Sequence, residues 1–123
     1  MTADANLESE FQAATALRDA GDVHSAKALL ERLGREHPDA FPVWLVLGAI
    51  EKNLEDYEAA ERAFAKAIAL NPRSELASVG LFFALAHQRR DDEAFAEARR
   101  FLTLRPDSKE YKMILDEIDE SLP

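Results

Sequence analysis

The sequence predicts an all-α protein: a stack of three antiparallel helix pairs closed by a seventh, single helix. Three observations carry this reading. Apolar residues recur at spacings of three and four along nearly the whole chain, the period of a helix with one buried face. Only four Gly and five Pro occur in 123 residues, too few for a turn-rich β protein. Pro38, Pro72 and Pro106 lie 34 residues apart, and the residues around them recur in the same register, so the chain is built by repetition.

Residues 1–6 are expected to form a flexible N-terminus. Leu7, Phe11, Ala14 and Leu17 then mark the first apolar stripe. It ends at Asp19–Asp22, where Gly21 suits a left-handed helix terminus and Asp22 can cap the next helix. That second helix carries Val23, Ala26, Leu29, Leu30 and Leu33 and stops before Pro38, whose ring cannot continue it. Pro42, Val43, Trp44, Leu47 and Ile50 open a third helix, and Asp56 repeats Asp22 at the next turn. Tyr57, Ala60, Phe64, Ala67 and Ile68 form the fourth, closed by Asn71-Pro72. The third cycle runs from Glu75 through Leu76, Val79, Phe82, Phe83 and Leu85, turns at Gln88–Asp91, and continues with Ala94, Ala98, Phe101 and Leu102. Residues 109–123 form the last helix, with Tyr111, Ile114, Leu115 and Ile118 on one stripe. Asp107 or Ser108 can cap it, with Glu110 as a capping-box partner, and Asp116, Glu117, Asp119 and Glu120 give it the polar outer face that an array end needs.

Composition narrows the function. There is no cysteine, which excludes disulfides and thiolate metal sites. The net charge is −9, with acidic ends and a nearly neutral middle, so nucleic acid is not an expected ligand. Arg89-Arg90 and Arg99-Arg100 are local exceptions, read as a solvated helix end and a solvated helix face. No apolar run approaches the roughly 20 residues of a membrane span, and the N-terminus lacks a signal-peptide pattern. A cytoplasmic protein with no membrane partner is expected. His24, His37 and His87 lie in different elements without metal-ligand spacing. Carboxylates fall mostly on outward faces, turns and caps, and no Gly-rich phosphate loop exists. The expectation is a non-enzyme with no catalytic residues, no cofactor and no metal.

Trp44-x-x-Leu47-Gly48, Asp56-Tyr57-Glu58-Ala59-Ala60, Ala60-x-x-x-Phe64-x-x-Ala67 and Pro72 together resemble the tetratricopeptide repeat. The aromatic usual three residues after the glycine is missing, since Glu51 stands there. The middle repeat carries the specific match. Its neighbours match more loosely, giving repeats at 7–40, 41–74 and 75–108. Small residues at Ala14, Gly48, Ala26, Ala60 and Ala94 mark close helix approaches; the third cycle departs, with Phe82 aligned to Gly48 and with Ala98 and Phe101 aligned to Phe64 and Ala67.

The resemblance implies a right-handed superhelical α-solenoid whose first helices line a concave groove that binds protein segments. The implied groove residues are Phe11, Gln12 and Thr15, flanked by Glu8 and Arg18, from the first helix. Leu45, Val46, Ala49, Lys52 and Asn53 come from the third, and Leu76, Val79, Gly80, Phe83 and His87 from the fifth. Met113 and Ile114 extend the surface onto the cap. One version of the family clamps a terminal carboxylate of heat-shock chaperones with Lys, Asn and Arg on these faces. Here Phe11, Thr15, Val46, Leu76 and Gly80 occupy the matching places, so no such clamp is implied. An apolar floor remains, suited to one face of a partner helix, with Gly80 and Ala49 expected to admit a ligand backbone. Acidic ends favour a basic, amphipathic partner. The function expected is an adaptor or scaffold binding a segment of another protein. The alternatives are a dedicated chaperone or immunity-type protein holding a basic secreted or toxic partner, and a self-associating module such as a homodimer.

Overall fold

A computed structural model describes residues 3–121, and the side chains of residues 6–119. Its elements are α1 (Ala3–Asp19), α2 (Val23–Glu36), α3 (Phe41–Asn53), α4 (Tyr57–Leu70), α5 (Glu75–His87), α6 (Asp91–Leu104) and α7 (Lys109–Ser121), with no strand among the described residues. α1 begins at Ala3, four residues before the expected start at Leu7. Ala3–Asn6 contains neither Gly nor Pro, so nothing in it breaks a helix. Met1 and Thr2, the rest of the expected flexible terminus, lie outside the described residues.

Each pair turns by the same backbone device. Gly21, Glu55 and Arg89, again 34 residues apart, all adopt left-handed conformations, with φ of 91°, 64° and 61°. The next backbone N–H closes each motif: Asp22 donates to the Leu17 carbonyl at 2.9 Å, Asp56 to Glu51 at 2.9 Å and Arg90 to Leu85 at 3.0 Å. Asp22 and Asp56 then cap α2 and α4 by accepting from Ser25 and Ala59 N–H groups. The third turn has Arg90 at the cap and no capping side chain. Instead Arg90 pairs with Glu61 and Glu93, and Gln88 Nε2 donates to Glu61 Oε1 at 3.0 Å, tying this turn to α4. The three spaced prolines each follow a helix C-cap, at His37, Asn71 and Arg105.

Aromatic rings seated on glycines join the repeats. A Cβ on Gly34 would lie 2.9 Å from the Trp44 ring, and a Cβ on Gly48 2.9 Å from Phe64. The same Phe64 ring presses against Gly80 of the next repeat. In the third pair the partners are exchanged. Phe82 takes the place of Gly48 and is 3% exposed, while Ala98 takes the place of Phe64. Large and small residues swap across the interface, so volume is conserved, the substitution that packed cores tolerate best. Phe82 also makes edge contacts with Phe83, Phe95 and Tyr111.

α7 is fastened by a buried polar cluster. Ser78 Oγ lies 2.6 Å from Glu97 Oε2 and 2.7 Å from the Tyr111 hydroxyl. Arg100 forks onto both Glu97 oxygens and reaches the Pro72 carbonyl at 3.1 Å. Arg100 therefore belongs to a packed junction rather than to the solvated face expected of it, and Arg90 likewise is engaged rather than solvated. Burial pushes the Tyr111 hydroxyl well above its ordinary range, so it stays protonated. Ser108, not Asp107, caps α7: its Oγ accepts from the Tyr111 N–H and donates to Glu75 Oε2 at 2.6 Å. Asp116, Glu117 and Asp119 are exposed, as an end helix requires; the Glu120 side chain lies outside those described.

Candidate partner-binding groove

α3 and α5 present the groove. Along α3, Leu45, Val46, Ala49 and Lys52 lie on the face opposite to Trp44, Leu47 and Glu51, because spacings of three and four return to one side. Leu45 and Ala49 pack on the Phe64 cluster, and Val46 leans on the first core cluster, so the floor is rigidly backed. On α5, Leu76, Val79, Gly80 and Phe83 continue it. Together with Arg18, Phe64, Glu75 and Glu110 these residues enclose a trough of about 440 Å³. Leu76 is 73% exposed, a large apolar side chain with no packing role of its own. Lys52 Nζ stands 5.7 Å from the centre of the Phe83 ring.

Of the expected groove residues, eight meet in this trough: Leu45, Val46, Ala49, Lys52, Leu76, Val79, Gly80 and Phe83. Asn53 and His87 lie in an adjoining depression that shares Lys52 and Phe83, where His87 stacks on Tyr57 at 4.3 Å. Phe11, Gln12 and Thr15 are not part of either. Phe11 packs against the first core cluster, Gln12 bonds to Glu8, and the Thr15 hydroxyl donates to the Gln12 carbonyl. Gly80 lines the trough, but its missing Cβ serves another purpose than the one expected. It is buried, and the space its missing Cβ leaves is filled by Phe64, not left open to a ligand backbone. Ile114 does not extend the surface, since at 8% exposure it belongs to the core; Met113, at 66%, is exposed outside the trough.

The sequence reading missed Phe64, Glu75 and Glu110 as groove residues. Phe64 was legible as the motif aromatic, but its reach past Gly48 to Gly80 depends on how two repeats stack. The trough's charges come in two sets. Arg18 and Lys52 occupy equivalent last-turn positions of α1 and α3, whereas Glu75 and Glu110 stand in the first turns of α5 and α7. No described helix is long and apolar enough to cross a membrane, and no group of three or more described His, Asp or Glu residues is placed to hold a metal.

Glu51 departs from the expectation that carboxylates lie outward. It is 5% exposed, and among the described residues nothing donates a hydrogen bond to its buried Oε1. Desolvation pushes its carboxyl up to about 7, helped by Glu31 and Asp56 and opposed by Lys27 and Arg62.

Two family models, both described as tetratricopeptide repeat, match residues 8–50 and 41–74. The third pair lies beyond both matched segments. No curated protein matches the chain. Among solved structures, one titled MamA MSR-1 C2 is similar at TM-score 0.75 and 29% identity, over 90% of this chain and 64% of that one. A MamA RS-1 mutant is similar at TM-score 0.77 and 20% identity, over 85% and 59%. The chain thus spans less than two thirds of these MamA chains. The type III secretion translocator chaperone SycD of Yersinia enterocolitica is similar at TM-score 0.78 and 16% identity, over 97% of this chain and 89% of that one. At that identity the likeness to SycD concerns the fold.

Proposed function

This chain belongs to the tetratricopeptide repeat family of protein-interaction modules, and we propose that it binds the apolar face of an amphipathic partner segment in the trough between α3 and α5. The observation that carries this is the apolar floor of Leu45, Val46, Leu76, Val79 and Phe83, with Leu76 left 73% exposed. Apolar side chains held open over a rigid backing are a feature of interaction sites, because folding gains nothing from them. A row of partner side chains spaced at three and four would cover the floor. The trough's charges are of both signs, so preference for a basic partner rests on Glu75 and Glu110 alone, with Arg18 and Lys52 meeting carboxylates.

A second reading, a dedicated chaperone for a secreted or toxic protein, draws on the near-complete mutual coverage with SycD, whose title names it a translocator chaperone. A homodimer closing two troughs on each other is the third occupant to be distinguished.

The test is the double variant Val46→Glu, Val79→Glu. It should lose every protein that the native chain retains from its host while helicity is kept, with the unfolding midpoint lowered but the fold intact, because Val46 and Val79 are half-buried against the core clusters. A partner retained by both would refute the trough. Sedimentation of the native chain alone as a dimer that the variant abolishes would assign the floor to self-association.

A further inference from the structure

The charges of the trough are sorted by end. Short turns reverse the chain after every helix, so α1, α3, α5 and α7 all run the same way. Arg18 and Lys52, in the last turns of α1 and α3, therefore stand at one end of the trough. Glu75 and Glu110, in the first turns of α5 and α7, stand at the other. Each charge suits the dipole of its own helix. Stacking is what gathers the four around one apolar floor. In the repeat register Lys52 aligns with Ala86 and Glu110 with Leu76, so the two sets lie about 15 Å apart along the helix axes at 1.5 Å per residue.

That separation exceeds the Debye length of about 8 Å in physiological salt, so the two ends do not cancel. A partner meets a cationic patch at one end and an anionic patch at the other. The charges are also available to it. Lys52 and Glu110 form no ion pair among the described residues, and Arg18 pairs with exposed Asp19, its sequence neighbour. Glu75 accepts a hydrogen bond from the Ser108 hydroxyl, a neutral donor that leaves its charge in place. A helix lying on the floor parallel to α3 and α5 brings its own positive dipole end to Glu75 and Glu110. Resting on the reading of the trough as the partner site, we propose that it selects a helical segment with segregated charges: a basic N-terminal half over Glu75 and Glu110, and an acidic C-terminal half over Arg18 and Lys52. Free in solution, that charge order opposes the segment's own dipole, and the trough supplies the missing complement.

The test uses the intact chain and two end-blocked synthetic peptides of about twelve residues, long enough to run the trough at 1.5 Å per residue. Both carry a leucine row at spacings of three and four and the same number of lysines and glutamates. One has its lysines in the first half and its glutamates in the last. The other mixes them as i, i+4 Glu–Lys pairs and is the better helix in solution, so free helicity works against the expected result. In fluorescence anisotropy titrations the segregated peptide should bind about tenfold more tightly, and the preference should vanish in about 1 M salt, where the Debye length is about 3 Å. Lys52→Glu combined with Glu110→Lys keeps the net charge but leaves each end with one charge of each sign, so it should bind both peptides alike. A benzophenone on the N-terminus of the segregated peptide should cross-link beside Glu110. Equal binding of both peptides by the native chain, a preference that survives the charge exchange, or cross-links beside Lys52 would overturn the proposal. The variant Val46→Glu, Val79→Glu separates this from failure of the trough itself. If it loses both peptides while the native chain binds them equally, charge selection alone is refuted; if it keeps both, or the native chain binds neither, the trough is refuted and the proposal with it.

Discussion

Replacing Gly80 by alanine sets two effects of opposite sign against each other. Alanine is the better helix former by about 1 kcal/mol, so local propensity alone makes Gly80→Ala stabilising. Packing says otherwise. The new Cβ would fall 2.5 Å from Phe64 Cε1 and 2.8 Å from Cδ1, and closer still to Cζ. Those are rigid ring atoms, and the ring is only 2% exposed. Nor can it slide toward α3, where the Cβ position of Gly48 is already 2.9 Å from the same ring edge. Overpacking of this kind costs up to about 3 kcal/mol, leaving a net loss of about 2 kcal/mol after the propensity gain. For a chain of this length that is a fall in melting temperature of about 5–10 °C by circular dichroism. Phe64→Leu, itself destabilising, should remove the conflict, so that in its background Gly80→Ala becomes neutral or favourable. A Gly80→Ala protein as stable as the native one, or a substitution costing the same with Leu at position 64, would refute the reasoning.

Three further outcomes follow from the geometry. Glu55→Gly and Arg89→Gly should each stabilise by about 1 kcal/mol in urea titrations, because both residues hold left-handed conformations that cost an L side chain energy and glycine little. Tyr111→Phe removes the hydroxyl that meets Ser78 and should cost about 1 kcal/mol in thermal unfolding, loosening α7 first. Glu51 is held near 7 in the fold against an ordinary value of 4.5, so the folded chain binds the extra proton between those limits. Its contribution is thus greatest below the unfolded value and is lost as pH rises through 7, by about 3 kcal/mol. Denaturation midpoints of the native chain and of Glu51→Leu, compared across that range, should diverge as pH rises.

The helices and their order were legible because helix period, caps and prolines are local signals. Asp22, Asp56 and Gly21 act where the sequence places them. The α3 and α5 residues that line the trough were grouped by the family resemblance, which named the helices, together with helical spacing, which puts them on one face. What escaped were consequences of stacking. Phe11 looks like a groove residue on a helical wheel, but the end repeat folds it onto the core. Gly80 looks like an opening until Phe64 arrives from another repeat. Arg100 reads as a surface charge, and only the contact of Ser78 with Glu97 and with Tyr111 of α7 shows the junction that its guanidinium joins. Glu51 was visible as a departure from the motif, but its burial without a donor depends on the helices that close around it.

The two aromatic seats between repeats both draw their ring from the middle repeat, Trp44 toward Gly34 behind it and Phe64 toward Gly80 ahead. Neither flanking repeat can return the favour. At the places equivalent to Trp44 the chain has Glu10 and Ser78, and at those equivalent to Phe64 it has Leu30 and Ala98. The modules are therefore alike in outline and not interchangeable. A second copy of the middle repeat beside the first would set a Trp44 ring against Ile68, the place equivalent to Gly34, and a Phe64 ring against Val46, the place equivalent to Gly80, so neither ring would find its seat. Ring and seat lie on different repeats at both joints, so lengthening the array takes a matched pair of changes, a ring in one repeat and a glycine in the next.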